Sequence, residues 1–127
     1  MVPLVPGAVW SECLDFARAV AETLVRREAA RLTTAFAKAG RENKLLIDYL
    51  RNNRTNTSVA AFSTRARPGA PVSMPITWEE LTPRLAPGRF TLRTTPARLR
   101  RRRDPWIEYW TAAQQISAAA FGAIDSV

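Results

Sequence analysis

Asp48 is the residue whose setting asks for a chemical explanation. It falls in the stretch LLIDYLRNNRT, Leu45 to Thr55, behind three apolar residues and three positions before Arg51. A carboxylate in an apolar run costs several kcal/mol unless something positive compensates it. Arg51, a metal ion, or solvent at the end of a strand would each meet that need. Metal-dependent phosphoryl or nucleotidyl transfer uses at least two carboxylates around paired ions, with basic side chains on the phosphates. Asp48, Arg51, Arg54, Arg65 and Arg67 supply one carboxylate and several phosphate-binding groups. The remaining acids fall on helix surfaces, caps or turns. On composition alone, a structural pair between Asp48 and an arginine therefore stands ahead of a metal site.

The charge balance points the same way as the arginines. Nineteen basic residues face 11 acidic ones, with no histidine, a net charge of +8 and a pI near 11.2. All the basic residues except Lys38 and Lys44 are arginine, whose planar fork suits phosphate. Genomic base composition is an equal explanation for arginine over lysine, but it leaves the net charge unexplained. Two regions are richest. Lys38 to Arg67 carries seven positive residues against Glu42 and Asp48, and Leu81 to Arg103 carries eight arginines and no acid. The run of four from Arg100 reads first as a solvated face or linker, and second as a salt-sensitive phosphate strip. The nearby aromatics read mainly as core.

Several chemistries are excluded by what the chain lacks. A single cysteine, Cys13, permits no internal disulfide. Without histidine, zinc sites and Ser-His or Cys-His nucleophilic catalysis have no donors. The N-terminus has neither a basic segment nor a long apolar stretch, so no signal peptide or membrane span is expected. The expected location is the cytoplasm.

Length and composition (127 residues, 46% hydrophobic, four tryptophans) predict one packed domain with an α+β pattern. Cys13, Phe16, Ala17, Val20 and Leu24 recur at helical spacing, predicting a helix from Ser11 as N-cap to about Glu28. Strands are predicted at Lys44 to Leu50 and Ser58 to Ser63, separated by the polar RNNRTNT. Thr77 and Glu80 form a capping box for a short helix. A turn, a brief strand and a second turn occupy APGRFTLRTTP. Asp104 and Pro105 predict a longer helix over WIEYWTAAQQISAAAF, with Trp106, Tyr109, Trp110 and Ala113 on its buried face. Residues 117–127 are expected to form a flexible tail.

IDYLRNNR and the following TSVAAFSTRARPGAPVSMPITWEEL resemble the polymerase domain of bacterial ligase D, a non-homologous end-joining family within the archaeo-eukaryotic primase superfamily. The similarity runs from VPLVP through DPWIEYW. It implies that residues 1–127 are the C-terminal portion of such a domain, with a mixed or antiparallel sheet flanked by helices. It further implies that Asp48 is one of three metal-binding carboxylates, the other two forming an upstream Asp-x-Asp pair absent from these residues. Arg51 and Arg65 match arginines expected to hold the incoming nucleotide's triphosphate, and Asn53 and Thr57 lie near that site. Lys38 and Arg41 match a basic region of the family to which no definite role is given, and together with Arg54 and Arg67 they are weak candidates for DNA contacts. The implied cofactors are a divalent ion, manganese or magnesium, and a nucleoside triphosphate. The implied partners are DNA ends, a complementing N-terminal half and other end-joining proteins, in association with the nucleoid.

On this view Asp48 stands in an apolar run because it shares metal ions with other carboxylates. One carboxylate flanked by arginines holds a divalent ion poorly, so the chain by itself is expected not to polymerise. Two alternatives stay open: a non-catalytic basic module that binds nucleic acid, and a structural relic of a truncated gene.

Overall fold

The computed structural model describes residues 1–126, in which the chain divides into two units. The first joins Met1–Thr57 to the segment from Ala113 onward, and the second is Ser58–Ala112. The elements number three α-helices and one two-stranded parallel sheet among the described residues, an α+β arrangement.

Helix α1, Trp10–Arg27, organises the first unit. Its start is set by Glu12, whose Oε2 accepts the Val9 amide at 2.9 Å and whose charge suits the positive helix end. Ser11 is therefore inside the helix and Val9 is the N-cap residue, two residues earlier than side-chain chemistry predicts. Arg26 and Arg27 close the last turn, where cations are favoured. Cys13, Phe16, Ala17 and Val20 are half-buried as the stripe predicts, Ala21 is 1% exposed, and Leu24 is exposed. α1 packs against helix α3, Ala118–Asp125, through an edge-to-face contact of Phe16 and Phe121 at 5.1 Å. The segment expected as a flexible tail thus carries a helix, capped by Ser117 Oγ accepting the Ala120 amide at 3.2 Å. Val127, its last residue, lies outside the described residues.

Strands β1, Leu32–Thr33, and β2, Leu45–Leu46, pair in parallel with Leu32 opposite Leu45 and Thr33 opposite Leu46. The Leu45 amide donates to Arg31 O and the Ile47 amide to Thr33 O, each at 2.8 Å. The expected strand Lys44–Leu50 shrinks to this pair because the chain turns at Tyr49 into a 3-10 turn, Leu50–Asn52. The i,i+3 spacing of Asp48 and Arg51 suits such a turn better than a strand, where the two would face opposite sides. The only sheet among the described residues is parallel, so the antiparallel sheet is not found. Antiparallel pairing is confined to two isolated bridges, Thr64 with Val72 and Pro71 with Thr91.

Those bridges belong to the second unit, where Ser58–Ser63 forms no strand. Phe62 sits at φ 62° in the left-handed region, which interrupts extended backbone. The chain instead folds back through Gly69 (φ 81°), and the Ser73 amide reaches Ser63 O at 2.9 Å. The capping box forms as read: the Thr77 amide donates to Glu80 Oε2 at 3.1 Å and opens a 3-10 turn, Trp78–Glu80. Helix α2, Thr95–Arg101, was not predicted; Pro96 in its first turn and the arginines of its last turn both suit their ends. The helix expected from Asp104 is replaced by overlapping turns. Asp104 does cap, its Oδ1 accepting the Trp106 amide at 2.9 Å. The next bonds close over three residues, only the Ala112 amide reaching back four to Glu108 O, and Ile107 and Trp110 face solvent. Of the expected face, Trp106, Tyr109 and Ala113 are half-buried and Trp110 is exposed, too little burial to hold a helix of this length.

Candidate functional site

β2 delivers Ile47 into the first unit, and Asp48 leaves the strand just before the Leu50–Asn52 turn. That turn brings Arg51 back over Asp48: its Nε donates to Oδ2 at 2.9 Å. Arg51 Nη1 donates in addition to the Thr57 carbonyl. One guanidinium thus ties the carboxylate to the far end of the polar loop Asn53–Thr57. The loop is pinned internally as well. Asn52 Nδ2 donates to Tyr49 O and Asn56 Nδ2 to Leu50 O, both at 2.9 Å, and the Asn56 amide reaches Asn53 O at 3.1 Å. Asparagines suit this work because their short amides compete well for nearby backbone groups.

Tyr49 fixes the direction in which this cluster leaves the strand. Its ring meets Phe36 edge-on at 6.2 Å and lies under the Arg18 guanidinium of α1 at 5.4 Å. Asp48, Tyr49 and Asn52 then form one wall of a groove of about 410 Å³, whose opposite wall is Cys13, Phe16 and Val20 of α1. Cys13 is therefore a half-buried wall residue and a free thiol.

The cluster is only partly satisfied. Asp48 Oδ1 accepts no hydrogen bond among the described residues, and the Nη2 of Arg51 donates none. An always-charged guanidinium with unused N–H groups is suited to a phosphate oxygen. A divalent ion is a different matter. No group of three or more Asp, Glu, Cys or His side chains gathers among the described residues. Magnesium and manganese require several oxygen ligands in near-octahedral array, so these residues alone do not fit one.

Of the residues singled out by sequence, the structure brings Asp48, Arg51 and Thr57 together, with Asn53 half-buried at the start of the same loop. Lys38 and Arg41 stand in the connection between β1 and β2, where the Arg41 amide closes a turn on Lys38 O at 3.3 Å. Arg54 is exposed in the polar loop. Arg65 and Arg67 belong to the second unit, exposed in the turn that leads back to Val72, with the Arg65 amide on Pro71 O at 2.8 Å. Lys38, Arg41, Arg54, Arg65 and Arg67 make no ion pair among the described residues.

The polar pair that spacing could not reveal lies in the second unit. Arg98 of α2 grips Glu80 with both Nη atoms, each at 2.6 Å, and its guanidinium lies 4.8 Å from the Phe90 ring centroid. That grip, with the Thr77 amide and the charge of Arg102, holds the Glu80 carboxyl down to about 2. The partners are 18 residues apart, and nothing in either local pattern joins them.

Residues 1–106 match the family described as the primase-polymerase domain of LigD, and all nine candidate residues fall inside that span. The multifunctional non-homologous end joining protein LigD of Pseudomonas aeruginosa is 40% identical over 121 residues, which is 94% of this chain and 14% of that protein. The bifunctional non-homologous end joining protein LigD of Bacillus subtilis is 28% identical over 114 residues, 89% of this chain and 19% of that protein. The multifunctional LigD of Mycolicibacterium smegmatis is 35% identical over 65 residues, 51% of this chain and 8% of that protein. The chain therefore spans less than a fifth of the length of each of these relatives. With a matched span of that extent and a relative so similar across nearly its whole length, the chain belongs to the LigD primase-polymerase domain family.

Proposed function

We propose that these residues are the C-terminal portion of a non-homologous end-joining primase-polymerase domain, with a primase-type fold completed by residues outside them. Asp48 contributes one carboxylate to a divalent metal centre whose other carboxylates come from elsewhere. Arg51 binds the triphosphate of an incoming nucleotide, and Asn53 and Thr57 shape the loop it is tied to. Arg65 carries a phosphate-binding role on the second unit. Lys38, Arg41, Arg54 and Arg67 bind DNA through its backbone. The reaction is template-directed nucleotidyl transfer at DNA ends, the metal neutralising phosphate charge when bound. Partners are the complementing half of the domain and other end-joining proteins, at the nucleoid in the cytoplasm.

One observation carries this reading: Arg51 orders Asp48 and the Thr57 carbonyl at once, yet leaves a carboxylate oxygen and the Nη2 group open. The chain's own part in the reaction is positional. Arg51 holds the Asp48 carboxylate in one orientation and presents its remaining N–H groups to phosphate. No group of three or more Asp, Glu, Cys or His side chains gathers among the described residues, which supports the reading that the chain by itself does not polymerise.

Primer extension on a short DNA duplex with manganese and ribonucleotides tests this. The chain alone is expected to give no extension. Joined to an upstream segment bearing the Asp-x-Asp pair, it is expected to extend, and Asp48→Asn in the joined protein to abolish extension. Extension by the chain alone that Asp48→Asn removes would place the missing ligands inside these residues. Undiminished extension by the joined Asp48→Asn protein would remove Asp48 from the metal centre.

A further inference from the structure

The loop that carries Thr57 back to Arg51 has no apolar side chain to hold it. Arg54, Thr55, Asn56 and Thr57 are all exposed, and only Asn53 is half-buried. Burial therefore contributes little to its conformation, and hydrogen bonds must set it. Its near end is anchored by other means. Tyr49, just before the Leu50–Asn52 turn, meets the Phe36 ring and the Arg18 guanidinium, and the turn itself packs against α1.

The far end depends on asparagine chemistry, and the two asparagine bonds are not equivalent. Asn52 Nδ2 donates to Tyr49 O at 2.9 Å, an acceptor that the Asn52 amide already reaches at 3.1 Å. That bond repeats a link the backbone makes. Asn56 does more. Its Nδ2 crosses the loop to Leu50 O at 2.9 Å, six residues back, while its amide closes a turn on Asn53 O at 3.1 Å. Among the described residues the only other side chain to cross the loop is Arg51, whose Nη1 donates to the Thr57 carbonyl. Thr57 directly follows Asn56, so the bond to Leu50 O sets where that carbonyl stands. A guanidinium held at Asp48 alone is free to pivot about its single Nε–H bond. The second contact, at Thr57 O, stops that rotation.

We propose that Asn56 is a positioning residue for Arg51. By holding Leu50 O it keeps the Thr57 carbonyl within reach of Nη1, and the carbonyl in turn fixes the direction in which the unbonded Nη2 group faces. Asn56 makes no bond to Asp48 and acts through the arginine. As a device for nucleotide binding this rests on the reading of Arg51 as a triphosphate ligand, whereas the ordering of the guanidinium rests on the hydrogen bonds alone.

The first test reads the guanidinium in the full chain. The Arg51 Nε–H resonance is assigned by its loss in Arg51→Lys, and its exchange with water is measured by NMR. Asn56→Ala is expected to speed that exchange about threefold to tenfold, the range that one lost neutral hydrogen bond gives. Asn52→Ala is expected to do less, since the Asn52 amide keeps the Tyr49 carbonyl. Thr55→Ala, in the same loop and without a side-chain bond among the described residues, is expected to exchange as the wild type. The second test uses the protein joined to the upstream carboxylates, where Asn56→Ala is expected to raise KM for the nucleotide by a similar factor with kcat unchanged. A lowered urea midpoint in Asn56→Ala with Arg51 exchange unchanged would make Asn56 a loop staple only and overturn the proposal. Equal exchange in Asn56→Ala and Thr55→Ala would do the same. Faster exchange with an unchanged KM would keep Asn56 as the positioner of Arg51 and remove the nucleotide from Arg51. No extension by the joined wild type would count against the nucleotidyl-transfer reading, with the exchange rates still deciding for or against Asn56.

Discussion

The two Arg–carboxylate pairs at Asp48 and at Glu80 use the same chemistry and end in opposite conditions. Glu80 is held by both Nη atoms of Arg98 at 2.6 Å and takes the Thr77 amide as well. The Arg98 side chain is only 14% exposed, which strengthens the bond by excluding water. Asp48 receives a single Nε–H at 2.9 Å from an Arg51 whose side chain is 57% exposed, and the other arm of that arginine turns to a backbone carbonyl. One pair is closed, with every strong acceptor used, and it clamps a turn to a helix. The other is open. A pair that finishes its own hydrogen bonding is suited to holding a fold, whereas one that leaves an oxygen and N–H groups unused is suited to holding something else.

The largest effect that sharpens this contrast concerns activity. In a protein completed by the upstream carboxylates, Asp48→Asn is expected to lower primer extension by about a thousandfold or more, since metal-borne charge neutralisation supplies several kcal/mol. Its urea unfolding midpoint is expected to move little, because the lost bond is a single exposed one. A large loss of stability with activity retained would make Asp48 a fold residue and erase the distinction between the pairs.

Next in size is the closed pair's contribution to the fold. Arg98→Ala removes two charge-assisted bonds, leaves Glu80 with only the Thr77 amide and uncovers Phe90. A cost of about 2 to 3 kcal/mol is expected by urea denaturation. A cost within that of an ordinary surface substitution would show the clamp to be incidental. The same pair gives a pH signature. Its carboxyl is lowered from 4.5 to about 2, chiefly by the Arg98 hydrogen bonds. The unfolded chain therefore binds the proton first as pH falls. The stabilisation is complete above about pH 4.5, fades as pH falls from there toward 2, and is absent below. Urea midpoints at pH 3 and pH 6 are expected to differ more for the wild type than for Glu80→Gln, and equal differences would sink the assignment.

The sequence made the open pair legible and concealed the closed one, for a physical reason. Asp48 and Arg51 are three residues apart, and local spacing reports on local turns. The apolar run predicts a strand over Lys44–Leu50, but the backbone hydrogen bonds to β1 support only Leu45–Leu46. Glu80 was legible as half of a capping box, because that motif is also local. Its partner Arg98 lies 18 residues on, in a helix hidden by the two threonines and the proline that open it. The aromatic segment after Asp104 misled in the other direction. Its cap is real, but a helix also needs a face to bury, and the segment's own composition cannot say whether one exists. The family resemblance reached what local patterns could not, since it rests on the whole span rather than on any one spacing.

The smallest expected effect is the most discriminating. Arg51→Lys keeps the charge at the open pair but cannot reach the Asp48 carboxylate and the Thr57 carbonyl together in the same fork geometry. Exposed i,i+3 ion pairs contribute only about 0.2 to 1 kcal/mol, so unfolding by urea is expected to shift by less than about 1 kcal/mol. If Arg51 were only a structural staple, that small shift would be the whole consequence. If it also binds phosphate, the completed protein is expected to show a raised KM for the nucleotide with the fold unchanged, because a point charge replaces a planar fork. Nucleotide titrations of the primer-extension rate separate the two outcomes. An unchanged KM would return Arg51 to the same class as Arg98, a residue whose hydrogen bonds end within the chain.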